Sequence, residues 1–329
     1  MSADTTDLRA QALEAKKYLV DPYQDWIAAE GVPVHTGRAL DLNAVALAPW
    51  RRFGMRGAAC HVDGRCDFLT CFVFELDAGQ SSAPTRKVYE ECIHVLSGAG
   101  RTLCRLSDGR SVEIAWRAGD MFAPPINATC VHMAAPEAPA RLASLNDLRY
   151  LMGLYRNEAF LFANGAGFAQ RQQEAVQAGL YAPARGLPLE RDEEGASAAL
   201  CLAAGSIGCD LRETPAGIAT LARRQMQGAH LLCLSGEGFT LSFDADSGPL
   251  TRTEWRRGVL IGLPSMSFHQ HFSGRDAAAR FAKIELGSLA SPIFRSRRAA
   301  YGDETVYASG SAVIPRAKER AEVVALRGQ

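Results

Sequence analysis

The chain carries no surplus of charge of either sign. Its 329 residues hold 36 basic and 36 acidic side chains, for a formal net charge of zero. That balance removes the usual electrostatic case for a nucleic acid or an anionic membrane as partner. No run of 18 apolar residues occurs, so no helix is expected to cross a membrane. The start Met1-Ser-Ala-Asp-Thr-Thr-Asp7 is polar and acidic and has no apolar signal core, which points to the cytoplasm. Cysteine is unpatterned: nine residues, at 60, 66, 71, 92, 104, 130, 201, 209 and 233, with no CxxC pair. A zinc finger is thereby disfavoured, and in a reducing compartment these thiols read as small buried hydrophobes. Histidine is scarce, with seven in the chain. What is present is globular: 47% hydrophobic and 22% charged residues, enough chain for two domains.

Two of the seven histidines fall in Pro264-Ser-Met-Ser-Phe-His-Gln-His-Phe272, where His269 and His271 share one face if the segment is a strand. Upstream lies Trp255-Arg-Arg-Gly258, downstream Ala279-Arg-Phe-Ala282. The same order occurs once before, as Trp116-Arg-Ala-Gly119, Pro124-Pro-Ile-Asn-Ala-Thr-Cys-Val-His132 and Ala140-Arg-Leu-Ala143, at a constant offset of 139. Cys130 thus matches His269, and His132 matches His271. His94-Val-Leu-Ser-Gly-Ala-Gly100 matches Leu232-Cys-Leu-Ser-Gly-Glu-Gly238 at an offset of 138. The chain is an internal duplication of one module.

Residues 1–44 read as a helical arm, with a broken apolar stripe from Leu8 to Trp26 interrupted at Asp21-Pro22. Residues 45–150 switch to short apolar runs split by glycine turns, including strands Glu90–Leu96 and Thr102–Leu106 and a hairpin turn Ser107-Asp-Gly-Arg110. Residues 151–195 form a linker with helical stretches at Asn157–Phe162 and Phe168–Gly179. Residues 196–290 repeat the β module, and 291–329 form a polar tail. Many short strands with glycine turns predict a sandwich or barrel.

The segments Val88–Gly100 with Gly119–Pro125, and Gly228–Gly238 with Phe268–Phe272, resemble the two motifs of a bicupin over residues 45 to 290. The resemblance implies a mainly β chain of two tandem cupin jelly-roll barrels, and it leans towards gentisate-dioxygenase-like members. In that family a His-x-His pair, a Glu or His a few residues on and a second-motif His hold one divalent metal. It also implies a homodimer and a small-molecule substrate.

This chain departs from that ligand set in both copies. In the first, the His-x-His positions are Thr85-Arg-Lys87, Glu91 fits the carboxylate and Cys130 stands for the last histidine. A lysine and a divalent ion repel at contact distance, so Lys87 is expected to pair with Glu91, or to line a ligand pocket with Glu91, Cys130 and His132. Beside a lysine, Cys130 would have a route to becoming a nucleophile, and otherwise it is a buried inert thiol. In the second copy the pair falls on Arg223-Arg-Gln225, with His230 in the third place and His269 in the fourth. His230, His269 and Gln225 are the candidate metal ligands there, for Fe(II), Mn or Ni, with no metal as the alternative. His271 is a candidate acid/base group and Arg223 a candidate anchor for a carboxylate. With Arg86 and Arg224, Lys87 and Arg223 suggest cationic cavities for a small anionic or aromatic molecule.

Three functions stay open. One is a dioxygenase-like enzyme, or a metal-free isomerase, decarboxylase or cyclase, with Lys87, Glu91, Arg223 and His271 catalytic. The second is a non-enzymatic binding bicupin. A seed-storage-like role is the third.

Overall fold

The structure is a computed structural model of the chain, and it describes residues 21–62, 69–163, 165, 167–192, 195–200, 202–220, 223–224, 229–243, 250–264 and 267–286. Gln225, the expected tail and most of the expected stripe of the N-terminal arm lie outside the described residues. So do the side chains of Arg223 and Arg224.

The chain folds as two tandem cupin jelly rolls, each a large sheet facing a four-stranded one. In the first, strands Met55–Val62, Thr70–Leu76, Ala140–Asn146 and Glu91–Ser97 run side by side in the large sheet, and Thr85–Arg86, Thr129–Ala134, Ala99–Arg105 and Ser111–Arg117 form the small one. Their inner faces meet in an aromatic-rich core that includes Trp50, Phe72, Phe74, Trp116 and Phe122. In the second, Gly195–Leu200, Ile207–Thr214, Ala279–Leu286, Ala229–Ser235 and Val259–Leu263 face Arg223–Arg224, Phe268–Ser273, Glu237–Phe243 and Thr251–Arg256. The hairpin expected at Ser107–Arg110 is present, pairing Arg105 with Ser111.

The repeated Ser-Gly-x-Gly has a backbone reason. Gly98 and Gly236 sit at φ +78° and +77°, where a Cβ would overlap the backbone that enters the neighbouring strand at Pro139–Ala140 and Ala278–Ala279. Gly100 and Gly238 lie against Trp116 and Trp255 and the carbonyls of Met133 and Phe272, leaving no room for a side chain.

The described part of the arm holds one helix and two short strands. Its described helix is Pro22–Glu30, begun by Asp21, whose side chain accepts from the Tyr23 amide, and ended by Gly31 in the left-handed region. Asp21-Pro22, read as an interruption, is a start: proline is preformed for the first helical turn and gives up no needed donor there. The arm then supplies strand Val34–Gly37 to the first large sheet and Ala39–Asp41 to the second. The linker holds helices Leu148–Tyr155, Glu158–Ala163 and Ala169–Ala178, and returns Tyr181–Ala182 to the first sheet.

The two large sheets pack their outer faces on one another. A single buried cluster joins Cys71, Val73, Cys92 and Met121 of the first module to Cys209, Leu232 and Ile284 of the second. Those strands are therefore buried on both faces, which is why they read as continuous apolar runs.

Candidate functional site

The strand Glu91–Ser97 alternates between two environments. Ile93 and Val95 enter the first barrel, while Cys92 and Leu96 enter the module junction. Glu91 therefore points into the barrel, and Lys87, four residues earlier, turns in to meet it. The Lys87 ammonium and the Glu91 carboxylate form a buried ion pair, 7% and 5% exposed as residues. The other Glu91 oxygen accepts from Ser144 Oγ at 2.7 Å. Burial works against the Glu91 charge, but Lys87 and His132, with the hydrogen bonds from Lys87 and Ser144, hold its carboxyl below the ordinary carboxylate range.

His132 and Cys130 face the same interior from strand Thr129–Ala134. Cys130 Sγ lies 3.2 Å from Cys104 Sγ, directly across the strand pair. The hydrogen bond with Cys130, and then burial, push the Cys104 thiol far up. Burial, with Lys87 adding to it, pushes the His132 imidazole down to about 4, so it is neutral near pH 7. Its Nδ1 is 2.8 Å from Thr102 Oγ1, which accepts from Trp116 Nε1 at 2.9 Å. Lys87, Glu91, Cys130 and His132, grouped from the sequence, thus share one barrel interior.

The second barrel repeats part of this. His271 Nδ1 is 2.8 Å from Thr240 Oγ1, which accepts from Trp255 Nε1 at 2.9 Å. His269 and His271 lie on one face, their ring centroids 5.3 Å apart. His230 does not join them. Ala229, Leu231 and Cys233 are the residues that enter the second barrel, beside Trp255 and Phe281. His230 shares the opposite face with Leu232 and Leu234, at the module junction, where burial and His61 push its imidazole down to about 4. Register gives the cause: His230 pairs with Ile284 as Cys92 pairs with Leu145, so the equivalent of Glu91 is Ala229.

These donors do not fit the family's metal. In the first barrel an ammonium is bound to the one carboxylate in the ligand positions. In the second, His230 faces away from His269. Among the described residues no three His, Cys, Asp or Glu side chains converge as a metal cluster.

A narrow pocket that opens to solvent lies at the module junction beside Glu91. Glu90, Glu91, Ala123, Pro124, Leu202 and Cys209 are among its lining residues. The charged residues among its lining are the carboxylates Glu90 and Glu91. Next to it is a polar knot that the sequence reading missed. Glu90 accepts from Arg171 at 3.2 Å and from the Ser206 amide, while Asp147 Oδ1 accepts from the Glu90 amide at 2.8 Å. Burial, then the Glu90 charge, raise the Asp147 carboxyl to about 7. Its one sequence signal is an isolated Asp before an apolar helical run at Leu148–Tyr155.

No family model matches the chain, and no curated protein matches it. Solved structures do. An oxalate decarboxylase studied for substrate binding and a reaction-specificity switch is 13% identical at TM-score 0.55, covering 76% of this chain and 77% of its own. Lactobacillus farciminis oxalate decarboxylase in a formate complex is 12% identical at TM-score 0.55, covering 76% and 86%. Momordica charantia 7S globulin is 9% identical at TM-score 0.55, covering 77% and 85%. The chain therefore has the bicupin fold, at identities that carry no activity with them. The Bacillus subtilis oxalate decarboxylase is described by its Mn(II) centres. Among the described residues no helix is long and apolar enough to cross a membrane.

Proposed function

We propose that this bicupin binds a small molecule without iron, manganese or nickel in either barrel, and that its working pocket is the one beside Glu91. The Lys87–Glu91 ion pair carries this reading. It places a fixed cation on the carboxylate that a metal would need, and removing one partner of such a pair leaves an uncompensated buried charge. The ligand is a small molecule with a hydrogen-bond donor for the Glu90 carboxylate; Ala123, Pro124 and Leu202 supply the apolar wall. Inside the first barrel the electrostatics favour binding over proton-transfer catalysis. Glu91 is held below the carboxylate range and His132 at about 4, so neither is poised near neutral pH as a general acid or base should be. A gentisate-dioxygenase-like or decarboxylase-like activity would need a metal set that the described residues do not assemble. A homodimer and a cytoplasmic location accompany this proposal as inferences from the resemblance and the sequence.

The test has two arms. Protein purified without chelator is analysed for iron, manganese and nickel, then screened by thermal shift against small aromatic amines, phenols and carboxylic acids. The expected result is metal far below one per chain, with stabilisation by a subset of donors and no turnover. Near-stoichiometric metal that His269→Ala abolishes would overturn the metal-free reading. Stabilisation by none of the compounds would overturn the binding reading in favour of a storage-like scaffold.

A further inference from the structure

Three sulfur-bearing side chains from three separate strands lie in one buried cluster at the module junction. Cys92 leaves strand Glu91–Ser97 on its outer face, and Met121 leaves strand Met121–Phe122, whose partner in the ladder is His94. Cys209 comes from the second module, on strand Ile207–Thr214. All three belong to the one buried cluster that joins the two large sheets. Cys92 and Cys209 line the same pocket from opposite modules. Cys209 Sγ is 4.0 Å from Met121 Sδ.

From this geometry we infer that Cys92, Cys209 and Met121 form a binding site for one soft monovalent metal ion, Cu(I). Softness selects the ion: thiolate and thioether donors favour Cu(I), and no carboxylate or imidazole is needed to complete a three-coordinate sulfur set. The spacing agrees. Two sulfurs each about 2.3 Å from one ion and about 120° apart lie about 4 Å from each other, which is the Cys209–Met121 separation already present. Access agrees as well. Cys92 and Cys209 both line the solvent-reaching pocket, with the carboxylates of Glu90 and Glu91 in the same lining. The thiols of Cys104 and Cys130, 3.2 Å apart, lie inside the first barrel instead.

Loading is an exchange of protons for metal with no change of oxidation state. Each coordinating thiol breaks its S–H bond and forms an S–Cu bond, and the proton leaves to solvent. Because donors come from both modules, the bound ion is also a clamp between them. This site shares the junction pocket with the small-molecule reading but uses its sulfur atoms and not its carboxylates, so copper retention is measured separately from ligand-induced stabilisation.

The test is an anaerobic titration of the reduced full-length chain with Cu(I) in competition with bicinchoninate, read with X-ray absorption at the copper edge. One ion per chain should be retained, with sulfur scatterers alone at about 2.3 Å. Direct ligands should count for more than outer-shell groups do, so Cys92→Ser and Cys209→Ser should each weaken retention by about 100-fold or more. Met121→Leu keeps the core volume and should weaken it by about tenfold. Cys104→Ser should change nothing. Should a serine variant fail to fold, Met121→Leu and the scatterer identity still decide. Absence of retained copper in the wild type, nitrogen or oxygen scatterers in the first shell, or loss of the ion in Cys104→Ser instead of Cys209→Ser would each overturn the site.

Discussion

Thr102 and Thr240 hold the same post in the two barrels: each hydroxyl accepts from a tryptophan Nε1 at 2.9 Å and lies 2.8 Å from a histidine Nδ1. An indole N–H can only donate, so the hydroxyl hydrogen is free for Nδ1, leaving Nε2 as the protonated nitrogen of His132 and His271 in the simplest allocation. The repeated tryptophan, read as a landmark of the duplication, is thus the anchor that orients the second-motif histidine. This gives His271 a structural partner.

Replacing Thr102 or Thr240 with valine removes a partner shared by a buried indole N–H and a histidine nitrogen, which is buried in His132 and half-buried in His271. Each stranded buried group costs about 1–3 kcal/mol, so Thr102→Val should lose roughly 2–6 kcal/mol in chemical denaturation. Thr240→Val should lose less. A loss below about 0.5 kcal/mol in both would show that the triads contribute nothing.

The Lys87–Glu91 pair should behave as a unit. Lys87→Met alone leaves a buried carboxylate, and breaking such pairs costs about 3–5 kcal/mol. The double variant Lys87→Met with Glu91→Leu should recover most of that loss. A double-mutant cycle by urea unfolding measures the coupling, and additive losses would mean the pair is not coupled in solution.

Acid should weaken the fold through its buried histidines. His94, His132 and His230 are pushed down to about 4 by burial, from an ordinary value near 6.5. A depressed folded value means that the unfolded chain takes up protons first. Their stabilising contribution is full above about 6.5 and is lost as pH falls through about 4. Melting temperature should therefore drop steeply from pH 6.5 to pH 4, and a flat profile over that window would contradict the burial of neutral imidazoles.

Asp147 carries the opposite sign. Its carboxyl is raised to about 7, so the folded chain holds a proton that the unfolded chain releases near 3.8. The associated stability is present below 3.8 and is lost as pH rises through about 7. Asp147→Asn should gain on the wild type as pH rises from 5 to 8, measured by paired thermal melts. A difference independent of pH would mean that the carboxyl titrates normally.

His230→Leu should fold at least as well as the wild type, since His230 Nδ1 is buried without a hydrogen-bond partner and the residue faces an apolar junction. A gain of about 1 kcal/mol is expected from removing one unsatisfied group. Ligand-induced thermal shifts should be unchanged, and their loss would return His230 to the functional site.

The sequence by itself determined that one β module occurs twice, that its turns need glycine, and that Lys87 sits where a divalent ion would be repelled. Those are local facts: spacing, φ freedom and charge type, each legible without knowing what packs where. It also carried two offsets, 139 around the second histidine motif and 138 around Leu232–Gly238. Placing His230 opposite Glu91 used the wrong one. In a strand a one-residue difference exchanges the two faces, so only the pairing of His230 with Ile284 decided that this imidazole faces the junction and not the barrel. The junction itself, with Asp147 beside Glu90 and Cys92 against Cys209, brings together residues 57 and 117 positions apart, by subtraction of their numbers. No periodicity encodes such contacts, because they arise when two finished sheets bury their outer faces on each other.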